Sequence, residues 1–132
     1  MRLVLALGPA VAIAALIFWL SATPNLSVTT GTVELVLRKG AHLTVYACLA
    51  IAIRRGLLAH GVDGRRALAG AWLLAVAYAV TDELHQATVP TRHGAPRDVV
   101  IDAIGAAAGL AVWTLVPWER ILPARLARLA PR

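Results

Sequence analysis

The sequence predicts an all-α fold: a small integral membrane bundle of four transmembrane helices, with both termini cytoplasmic. Three observations lead there. Of the 132 residues, 59% are hydrophobic and only 15% are charged, with a mean hydropathy of +0.72. A soluble domain runs at roughly 45–50% apolar and about 25% charged. The apolar residues gather in four runs, and the 13 lysines and arginines fall between them as short groups. The length allows a single domain. A net charge of +6 that forms no patch excludes a nucleic-acid partner. The lone cysteine, Cys48, sits inside an apolar run, which excludes a disulfide framework and a Cys-based zinc site.

The first run, Leu3–Ala22, carries no charge and matches the ~20 helical residues a bilayer core requires. It is too long for the ~7–15-residue core of a signal peptide, and Leu20-Ser21-Ala22 is a poor cleavage site, so an uncleaved helix is expected. The second run has an uncharged centre of only Gly40–Ile53. Its helix is expected over 36–58, with Arg38, Lys39, Arg54 and Arg55 snorkelling to the interfaces. The third helix is expected over 67–86, ending in Asp82-Glu83-Leu84-His85-Gln86, and the fourth over 98–118 with Asp102 in its first turns. Residues 119–132 form a basic cytoplasmic tail. Leu122, Leu126 and Leu129 beside Arg125, Arg128 and Arg132 suit a short amphipathic segment on the inner leaflet, or a frayed end limited by Pro123 and Pro131.

Orientation follows from the flanking positive charges. With the N-terminus inside, Arg2, Arg54, Arg55, Arg65, Arg66, Arg120, Arg125, Arg128 and Arg132 are cytoplasmic. Only Arg38, Lys39, Arg92 and Arg97 are external. Almost every other ionisable residue then falls at the outer ends of helices 2 to 4. Lys39, His42 and Tyr46 share one face of helix 2. Tyr78, Asp82, His85 and Gln86 share one face of helix 3, with Glu83 a quarter-turn away. Asp98, Asp102, Gly105 and Gly109 form one stripe on helix 4. A charge facing lipid costs ~2.5–3.5 kcal/mol or more, so these stripes are expected to turn inward around a polar funnel. Gly105-x-x-x-Gly109 has the small-residue spacing of close helix packing. Asn25-Leu26-Ser27 has the bare form of a glycosylation sequon.

Two readings of these residues stand side by side. Lys39, Arg92 and Arg97 can neutralise Asp82, Glu83, Asp98 and Asp102 as structural ion pairs, or the same groups can hold a ligand. A Lys39–Asp82 pair is expected across helices 2 and 3. Asp102 is expected to lean on Arg92 or Arg97, or to share a proton with Asp98. Asp82-x-x-His85 has ligand spacing, but no second acidic-x-x-His and no cysteine ligand accompany it, so no metal or other cofactor is expected. Ser21 and Ser27 lie far in sequence from the histidines, which argues against a serine triad.

The motifs resemble the VanZ-like membrane family. Lys39-Gly40-Ala41-His42-Leu43-Thr44-Val45-Tyr46 is similar to its K-x-x-H-x-x-x-Y element. Asp82-Glu83-Leu84-His85-Gln86, then Pro90-Thr91-Arg92 and Asp98, resembles D-E-x-x-Q…P-G-R…D. Asp102-x-x-Gly105-x-x-x-Gly109 resembles N-x-x-G-x-x-x-G, and Ser21-Ala22-Thr23-Pro24 the S-x-x-P closing the first helix. Thr88, Thr91 and Asp102 depart from the usual aromatic, glycine and asparagine. The resemblance implies a multi-helix protein of the bacterial inner membrane, in a family whose name-giving member is linked to low-level teicoplanin resistance. The expected function is therefore non-enzymatic binding of an amphiphile at the outer face, a lipid-linked glycan or a lipoglycopeptide, among ordinary membrane lipids. Arg38, Lys39, Arg92 and Arg97 would hold its anionic groups. The candidate ligand-binding residues are Lys39, His42, Tyr46, Asp82, Glu83, His85, Gln86, Arg92, Asp98 and Asp102. The alternative is a membrane hydrolase or transferase using His42 or His85 as base and Asp82 or Glu83 as acid or ligand.

Overall fold

The computed structural model describes residues 2–23, 31–90 and 94–116. Arg92, His93, the sequon, Trp118 and the basic tail lie outside the described residues. The described residues form four helices: α1 (Arg2–Ala22), α2 (Gly31–Ala59), α3 (Gly64–Gln86) and α4 (Pro96–Leu115). The architecture is all-helical. Three helices, α2, α3 and α4, are long and apolar enough to cross a membrane, and α1 adds a shorter apolar stretch at Ala6–Ala22. Large side chains such as Leu16, Trp19, Val36, Leu73, Leu84 and Leu115 are exposed on all four helices. So much apolar surface suits a lipid surround and not water.

Local chemistry sets the helix ends. Helix α2 begins at Gly31, ahead of the expected start near Val36. Its first turn carries Glu34, which the helix dipole favours, and Glu34 meets Arg38 one turn on at 3.1 Å. Helix α2 stops where Gly61 takes φ +77 and the Gly61 and Val62 N–H groups return to the Leu58 and Leu57 carbonyls. The Asp63 carboxylate then accepts from the Arg65 and Arg66 N–H groups and starts α3 at Gly64. Pro96 opens α4 with its φ already suited to a helix.

The helices run up, down, up and down, so α2 and α4 are parallel. They approach each other backbone to backbone. A Cβ on Gly105 would lie 2.5 Å from the Leu43 carbonyl oxygen, and one on Gly109 would lie 2.7 Å from the Ala47 Cα. Helix α3 packs through Ala67, Ala71, Ala75 and Ala79, one residue per turn and all fully buried. This alanine line repeats a small-x-x-x-small spacing along α3, a packing signal that the glycine pair overshadows in the sequence. Helix α1 leans on α2 and α3, with Ala6 and Leu7 against Gly56 and Tyr78 donating to the Ala14 carbonyl at 2.6 Å.

Candidate functional site

The C-terminus of α1, the N-terminus of α2, the C-terminus of α3 and the N-terminus of α4 meet at one end of the bundle. Here α2 presents Lys39, His42 and Tyr46 on consecutive turns, and each finds a carboxylate. Lys39 Nζ donates to Asp98 Oδ1 on α4, and Arg97 Nε lies 3.8 Å from the same oxygen. His42 Nδ1 lies 3.0 Å from Asp102 Oδ1, also on α4. A carboxylate accepts, so this ring nitrogen carries the proton. The Tyr46 hydroxyl donates to Asp82 Oδ2 on α3 at 3.3 Å. Gln86 Nε2 donates to that oxygen at 3.0 Å and to Ser21 Oγ on α1 at 3.2 Å. The network thus joins all four helices.

Two sequence expectations are corrected here. Lys39 pairs with Asp98 and not with Asp82, because α2 turns its Lys39–His42 edge to α4 and meets Asp82 of α3 one turn further on, at Tyr46. Asp102 is held by His42, not by Arg97 or a proton shared with Asp98; Arg92 lies outside the described residues. Asp102 is 1% exposed, and the α2–α4 approach at Gly105 brings His42 into reach. These contacts bring the polar stripes of α2, α3 and α4 together at one end of the bundle.

Glu83 sits off the main stripe, as its spacing implied. Its carboxylate accepts from the Ala95 N–H and so ties the end of α3 to the start of α4. His85 stacks on Phe18 of α1, with ring centroids 4.5 Å apart. Its Nε2 is buried without a hydrogen-bond partner, and so is Asp82 Oδ1. The sequence places Ser21 within S-x-x-P and far from the histidines, and it gives Glu34 no role. The i, i+4 spacing of Glu34 and Arg38 was the available signal.

An open cleft of about 380 Å³ lies between α1 and α2 at this end. Ile17, Leu20, Leu37, Ala41 and Val45 form its apolar walls, Glu34, Arg38 and His42 supply polar groups, and Ser21 and Tyr46 are buried behind them. Ser21 and Tyr46 contact Gln86 and Asp82 behind them. Among the described residues, no three His, Cys, Asp or Glu side chains group so as to hold a metal ion.

The order of these motifs along the chain has a counterpart. The VanZ/LLP1 family matches residues 4–117. The chain belongs to that family. No curated protein and no solved structure matches it. For this VanZ/LLP1 chain the matched region holds α2, α3 and α4 whole, α1 from its third residue on, and every residue of the network.

Asp102 stands where the resemblance expects asparagine. Asp102→Asn keeps an acceptor for His42 Nδ1, so membrane level and melting temperature should stay near those of the parent. Asp102→Leu strands the partly buried His42 donor and should cost ~1 kcal/mol. Loss of folding in Asp102→Asn would instead make Asp102 an indispensable ion.

Proposed function

We propose that this VanZ/LLP1 protein spans a bacterial inner membrane four times, with both termini cytoplasmic, and binds an amphiphile at its outer end. The cleft between α1 and α2 carries the reading. Its apolar walls suit an acyl chain, and its polar groups lie together where a head would emerge. Ligand sites commonly combine an apolar lining with a few converging polar groups. Arg38, Lys39 and Arg97 are engaged by Glu34 and Asp98, which argues against a strongly anionic head. A hydroxyl- and amide-rich head, that of a lipid-linked glycan or a lipoglycopeptide, offers donors to the carboxylate-rich layer. Sequestering a lipoglycopeptide here is also a route to low-level teicoplanin resistance.

Binding of teicoplanin and of its deacylated form to the purified protein tests the reading. The acylated form should bind at least tenfold more tightly, and Ala41→Trp, which fills the cleft, should remove that difference. Equal binding of both forms, or an unchanged preference in Ala41→Trp, would refute it.

One observation favours the hydrolytic alternative. Asp102 orients His42, and His42 lines the cleft, so a base held by a carboxylate faces the space a bound ester would fill. Under that reading His42→Gln abolishes turnover of a bound ester; under the binding reading it weakens affinity by degrees.

A further inference from the structure

Helices α1 and α2 run antiparallel, and three cavities lie end to end along the seam between them. The cleft at the network end passes at Leu37, Ala41 and Val45 into a shallow groove of about 810 Å³, also lined by Ile13, Leu16, Gly40 and Thr44. At Cys48 that groove meets a second one of about 460 Å³, lined by Ala6, Pro9, Ala52 and Ala59. The spacing along the chain explains the continuity. Ala6, Pro9, Ile13, Leu16 and Leu20 recur at alternating steps of three and four, which keeps them on one face of α1. Leu37, Ala41, Val45, Cys48, Ala52 and Ala59 keep to one face of α2 in the same way. Small residues leave room between the stripes; nothing lies within 4 Å of a Cβ position at Gly40.

The ends of this furrow differ. Glu34, Arg38 and His42 stand at the network end. At the far end the Arg55 guanidinium lies over the Trp113 ring of α4, 5.8 Å from the centroid, and the lining between the two ends is apolar apart from Thr44 and Cys48. The neighbouring Arg54 takes no part. It is only 7% exposed and continues the α2 face on which Ala50 packs with Ala71 of α3 and Ala106 of α4, so the snorkelling expected of it does not occur.

Length selects the occupant. From Leu37 to Ala59 a rise of ~1.5 Å per residue gives ~33 Å, the full thickness of a bilayer core of ~30 Å. The acyl chain of an ordinary lipid fills one leaflet, about half of that core. A single tail that fills the furrow is therefore about twice as long as an ordinary acyl chain. We propose that the furrow holds the polyprenyl tail of a lipid-linked glycan, with its head at the Glu34–Arg38–His42 end and its tail running along α1 and α2 past Cys48 to Trp113. This rests on the amphiphile reading of the cleft and narrows it to a carrier with a bilayer-length tail.

The test compares two synthetic probes with the same head, a hexose phosphate of undecaprenol and a hexose phosphate of geraniol, binding to the full chain in an uncharged detergent. The geranyl tail is too short to leave the cleft. The undecaprenyl probe should bind at least tenfold more tightly, because each further buried carbon adds hydrophobic transfer energy. Cys48→Trp places a bulky ring where the two grooves meet, and Cys48 is exposed, so the variant should melt as the parent does. It should remove the advantage of the long tail and leave geranyl binding unchanged, and Thr44→Trp should do the same. Ala41→Trp, in the cleft, should weaken both probes. Equal affinity of the two probes, both weakened by Ala41→Trp, would overturn the polyprenyl tail while leaving the amphiphile reading in place. A preference that survives Cys48→Trp and Thr44→Trp would arise in the micelle and would overturn it too. Displacement of the undecaprenyl probe by an equal amount of phosphatidylglycerol would overturn it by showing that ordinary chains fill the furrow end to end. Binding of neither probe would remove this proposal and the lipid-linked-glycan reading of the cleft together.

Discussion

Gly105→Leu is expected to prevent accumulation of folded protein, and even Gly105→Ala to cost ~3 kcal/mol. The reason is the nature of the neighbour. The atoms nearest a Cβ at Gly105 are the oxygen, Cα and carbonyl carbon of Leu43, at 2.5, 2.8 and 3.0 Å. These are backbone atoms in the middle of α2 and cannot swing aside as a side chain would. Relief comes only by moving α4 away from α2. That movement also pulls Asp102 from His42 and Asp98 from Lys39, so the loss spreads into the polar network. Helix association within a membrane rests on close packing more than on apolar burial, which makes this site more sensitive than a leucine in the same interface. Gly40 is the control. It is also in α2, but nothing lies within 4 Å of its Cβ position, so Gly40→Ala should be neutral or gain ~0.5–1 kcal/mol from helix propensity. Thermal denaturation in detergent separates the outcomes. Equal tolerance at Gly105 and Gly40 would remove the close α2–α4 contact from the account.

The contrast between those glycines shows what a sequence can and cannot disclose. Composition and run length gave the helical membrane class, and the spacing of Lys39, His42 and Tyr46 placed them on one face. Spacing does not give the rotation of one helix about another. The same stripe on α2 is shared between two neighbours: α4 takes Lys39 and His42, while α3 takes Tyr46. Pairing Lys39 with Asp82 assumed that one stripe faces one stripe. Arg54 failed for a related reason. Its place at the end of an apolar run suggested a side chain reaching toward water, but it lies on the face that α3 and α4 cover. Ser21 joined the network through a helix whose contact with α3 no periodicity announces. The partners of the site were hidden while its members were visible.

The largest electrostatic effect is expected at the pair that replaced the sequence expectation. Lys39 and Asp98 have side chains 23% and 19% exposed, so each is substantially withdrawn from solvent and poorly screened. Lys39→Ala leaves Asp98 with only Arg97 nearby, at 3.8 Å and on an exposed side chain. Asp98→Ala leaves Lys39 without an acceptor. Each single change should cost ~3 kcal/mol, the lower part of the range for breaking a buried pair, because the site is not fully sealed. The double change should cost ~1–3 kcal/mol less than the sum, since each single already destroys the interaction. Lys39 with Asp82 supplies the comparison. Asp82 receives the Tyr46 hydroxyl and the Gln86 amide, and Tyr46 is two helical turns, ~10 Å, along α2 from Lys39. Their double change should be additive within ~0.5 kcal/mol. Unfolding in detergent across both cycles measures the difference directly. Coupling in the Asp82 cycle without coupling in the Asp98 cycle would mean that α2 is rotated from the position described, and the assignment of His42 to Asp102 would fall with it.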